Sequence, residues 1–264
     1  GLALTKFIYW IKNVNKKVIT EVDAQNRLEK FRKLNPAYLY PSFNTIAGAG
    51  SNGAIVHYRA TPKNTKKIKK QDLLLVDSGG QYKFGTTDVT RTICFSKQKK
   101  TIMNAYTYVL KGHIAVVQTN LNKIDTGKKI DIRARKFLKK VGLDYAHGTG
   151  HGVGFFLNVH EGPQSISKYN NIKLTKGMIL SNEPGFYKKG HFGIRIENLI
   201  YIKKFKDKLL FDNFTLAPIE KDLINYKLLN KSEKDYLFRY HLKIYSEYSS
   251  SLNKNERRWL ASLI

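Results

Sequence analysis

Residues 73–92 contain the run LLLVDSGGQYKFGTTDVTRT, in which two β-rich segments flank a pair of glycines. This pattern predicts two strands joined by a hairpin. Asp77 and Asp88 lie 11 residues apart across the glycine-containing turn. A hairpin centred near residues 82–83 would therefore place the two aspartates opposite each other on one face of the sheet.

A second pair of acids has a similar setting. The segments ILSNEPGFY (179–187) and GIRIENL (193–199) contain Glu183 and Glu197, which lie 14 residues apart. Residues 188–190, Lys-Lys-Gly, are the natural turn of a hairpin between the two segments. Glu197 lies in an apolar run, and a carboxylate at the end of a buried strand needs a compensating partner.

Together the four acids predict a site for divalent metal ions. Four carboxylates on one sheet face repel one another strongly unless cations lie between them. With one histidine they form an oxygen-rich donor set that suits two ions such as Mn²⁺, Co²⁺ or Zn²⁺. Four negative charges would balance two dications and leave a bridging hydroxide as a nucleophile. Taken singly, Asp77 and Asp88 are better explained as turn and surface acids.

Histidines are concentrated in one glycine-rich segment. HGTGHGVGFFLNVHEGP (147–163) contains three histidines and five glycines, and SNGAIVHY (51–58) contributes His57. The other chemically reactive residues fit ordinary structural roles. We expect a structural residue inside a helix at His113, surface residues at His191 and His241, local structure or support of the site at Asp144 and Glu161, and a small strand hydrophobe at Cys94.

The composition limits the class of protein. The chain has 264 residues, 42% of them apolar, which is enough for a sizeable core and excludes wholesale disorder. A single cysteine excludes an intramolecular disulfide framework and a cysteine-rich zinc ribbon. No run approaches 18 apolar residues, and the first residues, GLALTKFIYWIKNV, lack the features of a signal peptide. The sequence therefore predicts a soluble cytoplasmic protein with no membrane partner.

The charge is strongly positive, with 47 Lys and Arg against 20 Asp and Glu and a formal net charge of +27. Such a charge is found in many nucleic-acid-binding proteins. However, 37 of the basic residues are Lys and only 10 are Arg, the residue that forks onto phosphates and guanine edges. The lysines are spread along the chain, with clumps at 66–70 and 97–100. We therefore favour a lysine-rich exterior that reflects A/T-rich codons, and predict no specific nucleic-acid partner.

Hydrophobic periodicity and turn residues outline the elements. Helices are predicted around Leu4 to Ile11, from Thr20 to about Leu34 with Asp23 completing an approximate capping box, and over 100–121, 129–141 and 220–264. Loop and strand segments are predicted over 42–59, 73–95 and from Gly142 to about 202. Helices and antiparallel hairpins in succession indicate an α+β fold rather than a doubly wound sheet.

The five segments quoted above resemble the signature of the pita-bread metallopeptidase family, specifically its Xaa-Pro aminopeptidase branch. The resemblance runs from about Ile19 to the C-terminus and implies the pita-bread (creatinase/aminopeptidase-like) fold, a curved, mostly antiparallel sheet flanked by helices. It also implies a set of metal ligands, namely Asp77, Asp88, His151, Glu183 and Glu197. In that family Asp88 and Glu197 would bridge the metals, Asp77 would cap one, and His151 with Glu183 would cap the other.

The resemblance assigns further residues to substrate. His57 and His160 would bind substrate and assist proton transfer, and His147 would line the pocket. Arg195 matches a substrate-site arginine that orients neighbouring carboxylates. The implied substrate is a peptide with proline at position two. A metal-bridging hydroxide would attack the first peptide bond, and Glu183, having taken the proton, would serve the leaving nitrogen. Mn is the expected metal, with Zn and Co as alternatives.

Two domains are expected. Residues 1–219 would form the pita-bread catalytic domain, whose first helix is incomplete at its N-terminus, and 220–264 a helical C-terminal extension. Longer members of the branch carry one or two N-terminal domains that this sequence lacks, which suggests a fragment or a reduced form. In such enzymes the extension supports a homodimer, so we predict a two-fold dimer.

Two alternatives within the fold stay open. A prolidase shares the ligand set and would cleave Xaa-Pro dipeptides but not longer peptides. A non-catalytic pita-bread binding module is disfavoured because such modules lose ligands, whereas all five positions here keep them.

Overall fold

The computed structural model describes residues 1–15, 18–156 and 158–264. Six α-helices lie in these ranges: α1 (Leu2–Asn13), α2 (Glu21–Arg32), α3 (Lys100–Val117), α4 (Gly127–Lys139), α5 (Lys231–Tyr248) and α6 (Lys254–Ala261). The strands before α3 are β1 (Tyr38–Pro41), β2 (Ile46–Ala49), β3 (Leu73–Ser78), β4 (Gly80–Tyr82), β5 (Gly85–Thr86) and β6 (Val89–Cys94). Those after α4 are β7 (Gly150–Gly152), β8 (Glu161–Ile166), β9 (Ile179–Asn182), β10 (Gly185–Lys188), β11 (Phe192–Arg195), β12 (Asn198–Phe205) and β13 (Lys208–Asn213).

The predicted α+β architecture is confirmed. The strands form a five-stranded sheet in the order β13-β12-β9-β7-β8, two three-stranded sheets, β2-β3-β6 and β1-β4-β5, and the β10-β11 hairpin. Every pairing among these named strands is antiparallel. None of the described helices is long and apolar enough to cross a membrane.

The first two helices form for the predicted reasons. In α1 the residues at helical spacing, including Leu4 and Ile11, are buried. At the start of α2, the Thr20 side chain accepts from the Asp23 backbone N–H while the Asp23 carboxylate accepts from Thr20, a complete capping box. Helix α2 ends at Arg32, two residues before the predicted end.

The hairpin that carries the two aspartates is confirmed, but its centre lies one residue later than predicted, so the predicted pairing is wrong by two positions. Asp77 pairs with Thr90, and the tight turn falls between Tyr82 and Gly85. Asp88 therefore lies diagonal to Asp77 rather than opposite to it. The separation is two positions, so both side chains still lie on one face of the sheet.

The second hairpin has the expected register. Gly185 pairs with Arg195 in the β10-β11 hairpin, and the same register continues where Asn182 of β9 pairs with Asn198 of β12. Glu183 and Glu197 consequently lie opposite each other at the junction between the two strand pairs.

The start of the C-terminal region differs from the prediction. Residues 220–229 were expected to be helical, but they form two short 3₁₀ turns, Lys221–Leu223 and Tyr226–Leu228. The side chains of Glu220 and Asn225 accept from backbone N–H groups two residues later. These local bonds compete with an α-helical ladder. Helix α5 begins only after Asn230, which forms a capping box with Glu233.

The C-terminal helices pack on the rest of the fold. Leu237, Tyr240 and Ile244 of α5 share one hydrophobic cluster with residues of α3, with Ile194 of β11 and with Ile196 just after that strand. A second cluster joins α1, α2 and the β2-β3-β6 sheet, and Trp259 of α6 packs against both clusters.

The buried histidines correct one prediction. His113 is buried in α3, as expected for a structural residue, and His191 is exposed. His241 was predicted on the surface, but it is only 3% exposed, and its Nε2 accepts from the Ile219 backbone N–H. Its position on α5 falls within the buried stripe of that helix. Cys94 is buried in β6, as predicted for a small hydrophobe.

Burial of His241 predicts a loss of stability in mild acid. Burial lowers the pKa of His241 from 6.5 to about 4. Between these values the unfolded chain binds a proton that the folded chain does not, so stability falls as the pH drops below 6.5. We expect His241→Gln to reduce the slope of unfolding free energy against pH by up to about 1.4 kcal/mol per pH unit.

Urea unfolding at pH 7, 6 and 5 measures this slope. The exposed His191→Gln variant is the control and should retain the wild-type slope. If His241→Gln keeps the wild-type slope, the His241 imidazole has the same pKa in the folded and the unfolded chain, which contradicts the prediction.

Candidate metal centre

Four carboxylates from distant parts of the sequence converge at the ends of buried strands. Asp77 belongs to β3, Asp88 immediately precedes β6, Glu183 follows β9, and Glu197 lies between β11 and β12. Asp77, Asp88 and Glu197 each place one oxygen within 4.8 Å of the others. Ligand atoms of Glu183 and Glu197 form a similar group with His151. The sequence-predicted ligand residues are therefore brought together.

His151 joins the two groups. Its Nε2 lies 3.4 Å from Asp88 Oδ2 and 3.5 Å from Glu183 Oε1. Its Nδ1 lies 2.8 Å from the carbonyl oxygen of Gly152, an acceptor only, so we assign the ring proton to Nδ1. This tautomer leaves the Nε2 lone pair directed at the carboxylates, where a metal ligand requires it.

The carboxylates are crowded enough to change their acidity. Asp88 is 4% exposed and Glu197 is 1% exposed. Burial, followed by repulsion from neighbouring carboxylates, raises the pKa of both groups well above the usual range. Such groups gain stability from protons or cations placed between them.

Arg195 partly compensates this negative charge. Its Nη2 donates to Asp77 Oδ2 at 2.6 Å, its Nη1 donates to the Tyr187 hydroxyl at 2.7 Å, and its Nε donates to Thr90 Oγ1 at 3.0 Å. Burial alone would lower the pKa of Arg195, but the attraction of Tyr187 and Asp77 raises it overall. The arginine is 2% exposed and contacts a carboxylate, so it lies where it can orient that side chain.

Hydroxyl groups fix the two glutamates. Thr90 Oγ1 donates to Glu197 Oε2 at 2.6 Å, and Ser181 Oγ donates to Glu183 Oε1 at 3.0 Å. Neither Thr90 nor Ser181 was predicted to have a role in the site. Strand alternation in the sequence could have indicated Thr90, because it lies two residues after Asp88 and therefore on the same face of the strand.

Tyr187 is a further residue that the sequence analysis missed. Its hydroxyl accepts from Arg195 and lies 2.8 Å from His147 Nε2. Since His147 Nδ1 lies 2.7 Å from the Gly148 carbonyl oxygen, we assign the ring proton to Nδ1, and Tyr187 then donates to Nε2. Burial raises the pKa of Tyr187 to about 12, which keeps this hydroxyl protonated.

The donor set fits divalent cations. Asp77 Oδ1 is buried and has no hydrogen-bond partner among the described residues, so it is an anionic oxygen that a cation would satisfy. Oxygen donors outnumber nitrogen donors four to one among Asp77, Asp88, His151, Glu183 and Glu197, as hard divalent ions prefer. The spacing of the ligand atoms, within 4.8 Å in each group, is that of atoms able to share an ion.

Three other histidines surround the carboxylates. The His160 ring lies 3.9 Å from that of His151, centroid to centroid, and burial with the nearby His151 lowers the pKa of His160. His147 Nδ1 lies 4.0 Å from Glu183 Oε2, and burial lowers the pKa of His147 as well. His57 is exposed and close enough to His160 to contribute to its lowered pKa. All three predicted substrate histidines thus lie around the metal-ligand cluster.

The loop carrying His57 is held by a buried acid. Glu21, at the start of α2, is fully buried and accepts from the backbone N–H groups of Ala49 and Lys66. It also accepts from the Asn52 side chain and from the Tyr58 hydroxyl at 2.8 Å. These bonds fix both ends of the segment that contains His57.

The glycine-rich segment has its own support from α4. Arg135 donates to the backbone oxygens of Tyr145 and His147 at 2.6 Å each. Asp131 accepts from Arg135 and from the Thr149 hydroxyl. Asp144 completes this set through its ion pair with Arg135, in agreement with the predicted local role.

Other acidic and apolar features lie apart from this centre. Cys94, Glu220 and Asp222 also form a group of potential ligand atoms, but Lys12 Nζ lies 2.7 Å from Glu220 and 2.9 Å from Asp222. The ammonium group thus supplies the cation there. An apolar cavity of about 660 Å³ lies between the start of α1, the end of α2 and residues 153–155. None of the five predicted metal ligands is among its described lining residues.

The fold and the site define the class of protein. Residues 1–204 match metallopeptidase family M24, and residues 208–263 match the C-terminal region of peptidase M24. The chain belongs to metallopeptidase family M24, which confirms the resemblance seen in the sequence.

Individual relatives refine the comparison. The chain is 44% identical to a "Probable Xaa-Pro aminopeptidase P" of Paracoccidioides brasiliensis over 98% of its own length and 45% of the relative. It is 43% identical to aminopeptidase P2 of Arabidopsis thaliana over 98% of this chain and 38% of the relative. The chain therefore spans less than half the length of these curated relatives.

Solved structures confirm the pita-bread fold. The X-prolyl aminopeptidase of Caenorhabditis elegans, described as a cytosolic enzyme with a dinuclear active site, matches with a TM-score of 0.92 and 34% identity. The match covers 99% of this chain and 45% of that one. Prolidase from Thermococcus sibiricus matches with a TM-score of 0.71 and 30% identity, over 83% of this chain and 57% of that one.

The buried Glu21 network leads to a stability prediction. Glu21→Gln would turn an amide N–H₂ toward donors that now point at a carboxylate. Leaving these buried donors unsatisfied should lower the free energy of unfolding by about 1–3 kcal/mol. Denaturant unfolding measures the change, with the exposed Glu247→Gln as the control, expected within about 0.5 kcal/mol of wild type. Equal stability of the two variants would contradict this role of Glu21.

Proposed function

We propose that the chain is the catalytic part of a dinuclear metal-dependent aminopeptidase that releases the N-terminal residue from peptides with proline at position two. The observation that carries this proposal is the convergence of four carboxylates and His151 into two overlapping groups of ligand atoms. The relatives named Xaa-Pro aminopeptidase P, and the X-prolyl aminopeptidase structure that matches 99% of the chain, support the substrate class.

The metal ligands would be the five residues already described. Asp88 and Glu197, the most deeply buried of the four site carboxylates, would hold the ions together with Asp77, His151 and Glu183. When bound, two divalent cations supply Lewis acidity and lower the pKa of a bound water. We propose Mn as the metal, with Zn and Co as alternatives, because oxygen-rich sites accept several divalent ions.

Glu183 is positioned to carry a proton. Ser181 donates to its Oε1, while its Oε2 lies 4.0 Å from His147. Glu183 is also more exposed than Asp88 or Glu197, with 18% of its side chain accessible. A carboxylate anchored on one side and accessible on the other can take a proton from the nucleophile and return it to the leaving proline nitrogen.

The three histidines around the cluster, His57, His147 and His160, would bind the peptide. Burial lowers the pKa of His160 and of His147, so both rings are neutral near pH 7 and do not repel a substrate ammonium group. His57 and His160 lie on the open side of the cluster, where they can donate to the oxygen that gains charge during attack. The proline nitrogen lacks an N–H, so side-chain donors must hold the scissile carbonyl.

Arg195 would act on Asp77 rather than on the peptide. It was expected among the substrate-binding residues, yet it is 2% exposed, and its three nitrogens donate to Asp77, Tyr187 and Thr90. We therefore propose that Arg195 and Tyr187 orient the metal-ligand cluster.

Location and assembly follow the same comparisons. We propose a cytosolic enzyme, because the C. elegans neighbour is described as cytosolic. We also keep the predicted division into a catalytic domain at 1–219 and an extension at 220–264, with a homodimer supported by the extension. The nearby boundary between the two matched family regions, at 204 and 208, favours a division in this part of the chain.

A prolidase is the second candidate. Several matched structures are prolidases or dipeptidases with TM-scores near 0.7. The identity of 43–44% to relatives named aminopeptidase P, and the match of residues 208–263 to the M24 C-terminal region, favour the aminopeptidase. A non-catalytic binding module is disfavoured because the cluster keeps a complete set of ligand atoms.

Hydrolysis of proline-containing peptides tests the activity. Metal-stripped protein should release the N-terminal residue from an Arg-Pro-Pro peptide when Mn²⁺, Co²⁺ or Zn²⁺ is restored, with product measured by mass spectrometry. Cleavage of Xaa-Pro dipeptides alone would favour the prolidase. No release with any of these metals would contradict an active enzyme in this chain.

Replacement of Glu183 tests the proton carrier. Glu183→Gln keeps the shape of the side chain but cannot take a proton, so turnover should fall below about a hundredth of wild type. The folded state, measured by circular dichroism, should be retained. Glu247→Gln, far along α5, serves as the control with unchanged turnover. Activity above about a tenth of wild type in Glu183→Gln would rule out this role.

A further inference from the structure

A fully buried arginine lies directly behind the metal-ligand cluster. Arg91 is 1% exposed and belongs to β6, between Thr90 and Thr92. The hydroxyls of these threonines contact Glu197 and the backbone of Arg195 respectively, on the site face of the strand. Because side chains alternate along a strand, Arg91 projects to the opposite face, toward the C-terminal region.

The guanidinium group joins three parts of the chain. Its six acceptors are all uncharged, namely the backbone oxygens of Thr90 (2.8 Å), Glu197 (2.6 Å), Ala217 (2.8 Å) and Pro218 (2.9 Å), Asn198 Oδ1 (2.8 Å) and the Tyr240 hydroxyl (3.1 Å). A buried cation held by neutral groups is costly, and its position depends on keeping every bond. The contacts link β6, the Glu197–Asn198 junction and the segment that leads into the C-terminal region.

Tyr240 of α5 completes this arrangement. It is 5% exposed, and its hydroxyl oxygen lies 3.2 Å from Asn198 Nδ2 and 3.3 Å from the Ala217 backbone nitrogen. The hydroxyl can donate its hydrogen to the backbone carbonyl of Thr215 (3.1 Å) or Ala217 (3.0 Å), or to Asn198 Oδ1 (3.4 Å). One hydroxyl of the C-terminal helix thus contacts both Arg91 and the residue next to Glu197.

Glu197 depends on these contacts because it lies at a break between β11 and β12. Its backbone N–H donates to the Thr90 carbonyl at 3.1 Å, its own carbonyl accepts from Arg91, and Thr90 holds its carboxylate. The bonds to β6 and Arg91 therefore set where the carboxylate points.

We propose that the C-terminal region positions the metal centre, with Tyr240 acting through Arg91 and Asn198 to fix Glu197. The inference rests on the proposed function, since it takes Glu197 as a metal ligand. Tyr240 is a positioning residue, and its loss changes how tightly and in what geometry metal binds. The extension then has a role inside each chain that is separate from any role in a dimer.

Tyr240→Phe tests this role by removing one oxygen. Metal-stripped protein is titrated with Mn²⁺ by isothermal calorimetry, and the Co²⁺-loaded protein is examined by visible absorption. Outer residues that orient ligands typically change metal affinity by about 10–100-fold, so we expect the Kd for Mn²⁺ to rise about tenfold. The Co²⁺ spectrum should shift as well, because the geometry at Glu197 changes.

Tyr245→Phe is the control. Tyr245 lies on the same helix and packs against the same hydrophobic cluster, but no hydrogen bond among the described residues joins it to Arg91, Asn198 or Glu197. It should retain the wild-type Kd and Co²⁺ spectrum even if its melting temperature falls as far as that of Tyr240→Phe. Equal changes in Kd and spectrum for both variants would reduce Tyr240 to a general stabilising residue and overturn the proposal.

A second variant tests the proposal if Tyr240→Phe does not fold. Arg91→Lys keeps the buried charge but loses the fork of donors, so it should weaken metal binding at least as much as Tyr240→Phe. Circular dichroism checks that each variant folds. Wild-type affinity in either folded variant overturns the proposal while leaving the proposed function intact. Failure of the wild-type chain itself to bind metal overturns both.

Discussion

Repulsion among four crowded carboxylates is the constraint on which the rest of the structure depends. Asp88 and Glu197 are almost wholly buried, and burial with mutual repulsion raises the pKa of each. Such an arrangement is unfavourable unless hydrogen bonds, a fixed cation or bound metal ions compensate it. Arg195 supplies one positive charge, and Thr90 and Ser181 supply hydroxyl donors. The negative charge that Arg195 leaves uncompensated favours divalent ions in the cluster.

Two hairpins bring the four carboxylates together, and helix α5 lies behind them. One hairpin presents Asp77 and Asp88, and the other presents Glu183 and Glu197, so that each acid lies at a strand end whose backbone is already fixed by pairing. Behind them the C-terminal helix α5 contacts β6 through Arg91. The carboxylate cluster is therefore connected, through Arg91 and Glu197, to residues far from its open side.

Local patterns predicted the two acidic hairpins, because strand alternation and turn residues can be recognised within short segments such as 73–92. The ligand role of His151 came only from the family resemblance, since glycine-rich segments carry no clear periodicity. Glu21 escaped prediction because its partners lie far along the chain, and such contacts leave no local pattern. The same holds for the contact of Tyr187 with His147, 40 residues away, although its other partner, Arg195, lies in the same hairpin. His241 was an avoidable error, because it lies on the same helical stripe as the buried Leu237 and Ile244.

The net charge of +27 contrasts with an acidic interior, so the lysine-rich exterior and the site obey separate constraints. The central claim is that the four carboxylates and His151 form one centre for two ions. Anomalous diffraction from crystals soaked with Mn²⁺, recorded at the manganese absorption edge, locates such ions directly. The account predicts two peaks within this cluster, one beside Asp77 and one beside His151. A single peak, or peaks only at other sites, would contradict it.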